Sequence, residues 1–326
     1  MWYVNHSSPD KMILSKREII YPQKYQLRIR VVCAGVNRTD IYQLQGLYRP
    51  PKDSNPVLGL EVSGIVDAVG DSVPKEWLGK RVCALVNGGG YSEYVLCYLE
   101  SCLIIPDEVS LSVAAGIPEA WFTAALFLHY IRPLSRNDRI LIHSVLANVS
   151  RAATMLSQWV GSSVWGTVSS TKKGELVPIL PWENVFCRDM EDWHQSLIRA
   201  SNGGVDVIFD VVGASCFNSN SRVIESHGTW LIVGFLSGAQ LHKASLAPIL
   251  LKQVVLRGAT MRSQPKEVIG SIRDWLGAQW KSGLQLPDTV WLNHIFEFNQ
   301  VNEAHEKLMD PVTAGKIVLQ VSSDEK

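Results

Sequence analysis

Beyond residue 118 the chain alternates between two periodicities, and this alternation constrains its fold more than any other feature. Residues 139–143, 163–167, 205–212 and 229–235 are apolar, partly β-branched runs of strand length, and residues 149–160 after the first of them carry a helical pattern. Strand, helix and strand in repetition is the pattern of a parallel doubly wound sheet, because parallel neighbours need a long crossover between them. Ahead of residue 118 the signals differ. Short β-rich runs at 27–33, 58–69, 81–86 and 94–97 are separated by Gly, Pro and Asn clusters, which predicts a β-rich lobe.

The last stretch holds helical patterns near 266–281 and 301–309 and a β-branched run at 316–321, expected to pair back with the first lobe. At 326 residues with 46% hydrophobic residues the chain can build two lobes with proper cores. The expected division is a first lobe over 1–118, a doubly wound domain over 119–257 and a return to the first lobe over 258–326. The polar tail 322–326 is expected to fray. Lys plus Arg equals Asp plus Glu at 31 each, so no long-range field draws in nucleic acid or an anionic membrane; a small-molecule ligand fits better. The start Met1-Trp2-Tyr3-Val4 lacks a signal-peptide pattern and no run approaches about 18 apolar residues, which reads as a soluble cytoplasmic protein. The six cysteines are scattered without metal-knuckle or redox spacing, as reduced structural thiols are.

A series of motifs stands in a telling order: Ala34-Gly35-Val36-Asn37-Arg38-Thr39-Asp40, Gly46-Leu47-Tyr48, Gly59-Leu60-Glu61-Val62-Ser63-Gly64, Gly89-Gly90-Tyr91-Ser92-Glu93-Tyr94, Ile117-Pro118-Glu119-Ala120-Trp121-Phe122-Thr123-Ala124 and Gly315-Lys316-Ile317-Val318-Leu319. In this order they resemble the zinc-free quinone oxidoreductase branch of the medium-chain dehydrogenase/reductase superfamily over nearly the whole chain. The likeness extends to its p53-inducible quinone oxidoreductase type, to zeta-crystallin and to enoyl reductase modules. The resemblance implies an α/β protein with a GroES-like β-rich catalytic lobe and a Rossmann domain, NADPH as cofactor, a quinone or enone acceptor, and a homodimer or homotetramer.

Zinc-dependent relatives carry a Cys shortly after the first core strand and a Gly-His-Glu triplet, since zinc needs thiolate and imidazole donors. Here Asn37 and Leu60 stand at those positions, so zinc-assisted chemistry is disfavoured. His129, His143 and His305 fall singly on strand or helix positions and read as satisfied or exposed histidines. On the acceptor side the resemblance implies Asn37 and Tyr48 as catalytic residues, an amide and a phenol able to hydrogen-bond a carbonyl oxygen gaining charge. The residues alone also allow Asn37 as the cap of a helix over 38–45 and Tyr48 as a loop aromatic. Asp40 reads as a structural first-turn acid, and Thr123 is a candidate contact to the nicotinamide.

A Rossmann site needs a tight turn after its first strand, with glycines that let backbone N–H groups approach a pyrophosphate. Here the turn reads Ser144-Val145-Leu146-Ala147-Asn148-Val149-Ser150-Arg151, and the three glycines of the family pattern are replaced. Asn148 tolerates positive φ best; Val145 is the worse replacement if its position requires a glycine conformation; and Ser150 puts a Cβ and a hydroxyl at the point of close approach. Leu146, Asn148, Val149, Ser150 and Arg151 remain the candidate phosphate contacts, Arg151 either pairing with pyrophosphate or facing solvent. After the second strand no acid stands where a ribose 2′-hydroxyl would be held. Ser170 and Lys173 match the residues that the family uses for the 2′-phosphate, which favours NADPH over NADH. The remaining wall is expected from Gly213, Val233, Gly234 and Phe235, closed by Thr260, Met261, Arg262, Gly315 and Lys316. Phe186 and Thr313 are departures expected to loosen it. The competing reading is a homologue that keeps the fold without the chemistry. Single-stranded RNA binding finds no basic, aromatic-interleaved patch.

Overall fold

In the computed structural model, which describes residues 1–8, 11–51, 54–175, 184–285, 291–310 and 313–323, the chain forms two units. One comprises Met1–Phe122 with Gln264–Lys326 and the other Thr123–Ser263, the first division falling inside the helix Pro118–Ala125. Residues 324–326 of the tail lie outside the described residues.

The first unit is built on strands β1 (Trp2–Ser8), β2 (Lys11–Lys16), β3 (Gln26–Val36), β4 (Glu61–Val69), β5 (Arg81–Leu85), β6 (Tyr94–Tyr98) and β7 (Cys102–Ile104). The second holds β8 (Arg139–Ile142), β9 (Ser163–Val168), β10 (Val185–Cys187), β11 (Val205–Asp210), β12 (Ile224–Ile232) and β13 (Val255–Gly258); β14 (Leu292–Glu297) and β15 (Lys316–Gln320) return to the first.

In the second unit the strands run in the order β10-β9-β8-β11-β12-β13 and every neighbouring pair is parallel. The doubly wound sheet is as the alternation predicts, with chain order reversing between β8 and β11. Leu141, Ile208 and Trp230 point to one face and pack on Trp193 and Leu197 of the helix Trp193–Ala200 and Phe217 of the helix Phe217–Val223. Each such side chain contributes about 1.5–3 kcal/mol by burial. The helix Asn148–Val160 buries Ala152, Ala153 and Leu156 and stops at Gly161, whose φ of 87° accepts the left-handed ending that a side chain resists. β12 begins five residues ahead of the apolar run at 229. Between the pairs Val205↔Ile224 and Val207↔Thr229 β11 advances two residues and β12 five, so an irregularity around His227 (φ 64°) hides the strand from its own pattern.

In the first unit β3 is the spine. It pairs antiparallel with β4, β6 and β15, and the wider sheet runs β14-β15-β3-β4-β5-β7. Leu27, Ile29, Val31, Val62, Val82, Ile317 and Leu319 are buried in its core with Phe298 and Val301. The hairpin of β1 and β2, which the sequence pattern did not reveal, attaches through Tyr3↔Ser92 and the Val4 N–H to Tyr91 carbonyl bond of 2.9 Å.

Candidate functional site

At the end of β3 the chain turns into the helix Arg38–Leu44, with Asn37 at its N-cap. The amide of Asn37 is turned toward two buried charges. Its Nδ2 donates to Glu61 Oε1 at 2.9 Å, and its Oδ1 accepts from Lys316 Nζ at 2.8 Å. Lys316 also donates to Glu61 Oε1 and, at 2.9 Å, to the Val36 carbonyl, while Glu61 Oε2 accepts the Glu119 N–H at 2.9 Å. Glu61 is 0% and Lys316 1% exposed. Lys316, expected along the cofactor wall, is instead buried in this unit with its three N–H donors occupied, because its partner carboxylate lies in the core beneath Asn37. Two glycines make the room: a Cβ on Gly35 would stand 2.5 Å from Glu61 Oε1, and one on Gly116 2.6 Å from Lys316 Cγ.

Asp40, three residues into the helix, is equally buried. Its Oδ2 accepts the Asn37 N–H at 2.8 Å and the Tyr91 hydroxyl at 2.9 Å, and Tyr91 in turn lies 3.1 Å from His305 Nε2. Since the phenol donates to Asp40, the imidazole donates to the phenol, which fixes the neutral Nε2–H tautomer. Burial pushes the Asp40 carboxyl up to about 6 and the His305 imidazole down to about 4. Tyr48 lies on the loop after the helix, its N–H bonded to the Tyr42 carbonyl at 3.1 Å. Among the described residues no group of three or more His, Cys, Asp or Glu is placed to hold a metal ion.

In the second unit the turn after β8 differs from expectation in detail. The left-handed residue is Ser144, at φ 53°, while neither Val145 nor Asn148 has positive φ. Val145 is instead a core residue against Val168, with Leu146 packed beside it. Asn148 opens the helix. Ser150 is 0% exposed, and its hydroxyl donates to the His143 carbonyl at 2.7 Å, so it anchors the helix to the strand end rather than standing in an anion's way. Arg151 is 8% exposed and does not face solvent, because it falls on the buried side of the helix with Ala152. Ala147, at the N-cap, has no side chain with which to cap, and the first N–H bonded back to it is that of Arg151. The N–H groups of Asn148, Val149 and Ser150 are thereby left at a positive helix end, an arrangement that fits a pyrophosphate. Asn148 Oδ1 is buried without a partner among the described residues and fits a donor such as a ribose hydroxyl.

Where strand order reverses, a hydrogen-bonded series crosses the sheet edge. Arg188 Nη1 donates to Thr167 Oγ1 at 2.6 Å, Thr167 Oγ1 is 2.8 Å from His143 Nδ1, and His143 Nε2 is 2.8 Å from Asn220 Oδ1. Asn220 Nδ2 then donates to Asp210 Oδ2 at 3.0 Å, joined by Trp230 Nε1 at 3.0 Å. Only the Nε2–H tautomer of His143 satisfies every member, and burial keeps that ring below its ordinary pKa and neutral. Asp210 Oδ1 accepts the N–H groups of Val212 and Gly213 at 2.7 and 2.9 Å, which ends β11 two residues before its apolar run does and folds Gly213 to φ 86°. Val233 and Gly234 bond back to the Asp210 carbonyl at 2.7 and 3.2 Å, and Phe235 stands 55% exposed beyond them. These anchors escaped sequence reasoning because the polar residues that hold the turn come from four different elements.

Ser170 caps the short helix Thr171–Gly174, accepting the Lys173 N–H at 3.4 Å. Asp189 joins them from beyond β10, accepting the Thr171 N–H and hydroxyl at 3.1 and 3.2 Å. An acid absent from the local sequence thus reaches this loop through strand pairing. Thr123 lies in the helix Pro118–Ala125, and Thr260 Oγ1 is 2.7 Å from Ser263 Oγ across the turn that holds Met261 and Arg262. Phe186 packs against the apolar core and Thr313 donates to the Lys307 carbonyl at 2.7 Å.

Known proteins match along both units. The model of the alcohol dehydrogenase GroES-like domain matches residues 23–107, and that of the zinc-binding dehydrogenases residues 149–276. The synaptic vesicle membrane protein VAT-1 homolog-like of Mus musculus is 28% identical over 330 residues, 96% of this chain and 78% of that protein. A quinone oxidoreductase of Lama guanicoe is 27% identical over 308 residues, 91% of this chain and 89% of that one. The solved structure of Escherichia coli quinone oxidoreductase complexed with NADPH superposes with a TM-score of 0.82 at 22% identity over 98% of both chains, a likeness of fold.

Proposed function

Because the chain belongs to the medium-chain dehydrogenase/reductase superfamily, with quinone oxidoreductase-like relatives, we propose that it is a zinc-independent, NADPH-dependent reductase of a conjugated carbonyl, a quinone or an enone. The observation that carries this reading is the Asn37 amide, held between an ammonium and a carboxylate with its second N–H given no partner among the described residues. That N–H suits an acceptor oxygen as it gains charge, with the Tyr48 phenol as second donor and source of the proton. NADPH, when bound, supplies the hydride. Hydride and proton together complete the two-electron reduction.

For the cofactor, the N–H groups of Asn148, Val149 and Ser150 would take the pyrophosphate, and Ser170 and Lys173 the 2′-phosphate. Arg188 adds a cation at the end of β10 that sequence reasoning missed. Gly213, Val233, Gly234, Phe235, Thr123, Thr260 and Arg262 would form the remaining wall, with Leu146 and Arg151 beneath the turn. A second reading, a homologue without the chemistry, is favoured by one observation: no glycine stands between His143 and Gly161.

Calorimetry with NADPH and NADH separates the two. Micromolar NADPH with NADH at least about ten times weaker is expected, and Lys173→Ala should weaken NADPH alone, since one charge-assisted contact is worth about 1.5–3 kcal/mol. Millimolar affinity for both cofactors would sink the reductase reading, and equal loss for both in the variant would refute the role of Lys173. The exposed edge of the second unit suits a homodimer: β13 carries Val255 and Leu256 at 54% and 38% exposure beside Leu250 and Leu251 of the helix Ala247–Leu251. A cytoplasmic location accords with six cysteines that form no disulfide.

A further inference from the structure

We propose that Lys316 and Glu61 are positioning residues for the reduction: buried beneath Asn37, they lock its amide in one orientation and polarise it, so that its remaining N–H becomes the donor to the acceptor's carbonyl oxygen. This rests on the reductase reading for its chemistry but on the first unit alone for its geometry.

An asparagine amide at a loop end can ordinarily turn over about its last torsion, exchanging oxygen for nitrogen. Here the two orientations are far from equal. In the observed one the carbonyl oxygen meets an ammonium and the nitrogen meets a carboxylate. Turned over, an N–H donor would face Lys316, which has nothing to accept with, and the oxygen would face the Glu61 carboxylate. Both charge-assisted hydrogen bonds would be replaced by like-polarity contacts in a buried setting, where neither charge is screened by solvent.

The same contacts alter the amide itself. An ammonium on the oxygen draws electron density from the nitrogen, and the carboxylate on one N–H fixes the plane in which the other lies. A donor whose direction is settled before the acceptor arrives needs no reorganisation as charge builds on the carbonyl oxygen. Asn37 is only partly buried, whereas the ion pair below it is closed to solvent. A Lys–Glu pair placed there for stability alone is a poor device, since burying both charges costs several kcal/mol per ion before their attraction is counted.

The backbone is shaped around the pair. Gly35 leaves space for the Glu61 carboxylate and Gly116 for the Lys316 stem, and the N–H of Glu119 holds the second carboxylate oxygen. The Asp40 carboxylate fixes the same residue from its other side, through the Asn37 backbone N–H. Side chain and main chain of Asn37 are therefore oriented by separate buried acids.

The test is a double-mutant cycle on reduction of 1,2-naphthoquinone by NADPH, between Asn37→Ala and the charge-neutral pair Lys316→Met with Glu61→Gln. Alone, the paired substitution should lower kcat about 10- to 100-fold with KM little changed, and in the Asn37→Ala background it should cost less than about 3-fold, because its effect passes through the amide. NADPH affinity should stay within about 2-fold throughout. Equal losses in both backgrounds, or a loss of NADPH affinity in place of kcat, would overturn the proposal. Gly116→Ala gives the same reading without removing a polar group, since its Cβ would meet the Lys316 stem first, 2.6 Å from Cγ; an unchanged kcat there also counts against it. The Asn37 side-chain amide in a ¹⁵N–¹H spectrum separates this proposal from the reductase reading. Wild-type protein that turns over no quinone sinks that reading, whereas an Asn37 side-chain ¹⁵N order parameter as low as that of an exposed asparagine sinks the locking, whatever the activity.

Discussion

Replacing Asp40 by Asn should change how the stability of this protein depends on pH. Asp40 is 1% exposed, and burial pushes its carboxyl from 3.8 up to about 6, against hydrogen bonds from the Asn37 N–H and the Tyr91 hydroxyl that favour the charged form. The folded state therefore holds this proton more tightly than the unfolded chain does. Its contribution to stability is complete below about pH 4 and is lost as pH rises through about 6. A rise of about 2 units, at about 1.4 kcal/mol each, is about 3 kcal/mol, of which about 2 kcal/mol is lost between pH 4.5 and pH 8. Asn is neutral throughout and keeps an acceptor oxygen for the same donors. Urea titrations of both proteins at pH 4.5 and pH 8 should show the variant gaining about 2 kcal/mol on the wild type as pH rises. His305 is pushed the other way, down to about 4, so its contribution is present above about 6.5 and lost as pH falls through 4. Being common to both proteins, it cancels in the difference. An offset that stays the same at both pH values within about 0.5 kcal/mol would mean that Asp40 is ionised in the fold throughout, and the reasoning from burial would fail.

Two further outcomes are expected. Ser144→Gly should raise stability by about 0.5–1 kcal/mol in the same titration, because φ 53° strains a residue with a Cβ; a loss would show that the serine side chain holds the turn. Leu256→Lys on β13 should turn a dimer into a monomer in sedimentation at micromolar concentration, and a wild type already monomeric there would refute the edge-strand interface.

By itself the sequence determined the doubly wound sheet, the helices Lys266–Lys281 and Val301–Met309, and the place of Asn37 between a strand and a helix. Each is written in a local period or in a short motif, and local period is what decides whether a segment becomes strand or helix. The loss of glycines from the turn after β8 was equally legible, but its consequence was not. Which residue takes positive φ, and where the Ser150 hydroxyl points, depend on how β8 meets the helix, and Ser144 rather than Val145 or Asn148 carries the strained conformation. The same limit applies to β12, whose first residues pair with β11 across an irregularity that breaks their alternation. It applies most of all to the acids and bases. Glu61 and Lys316 are 255 positions apart and meet because β15 pairs with β3 and β3 with β4, so that the two side chains come to one end of the sheet beneath Asn37. Sequence spacing sets which face a side chain takes along one strand. Only the packing of strands and helices from distant parts of the chain decided which charges are buried together, and that decided what Asn37 can do.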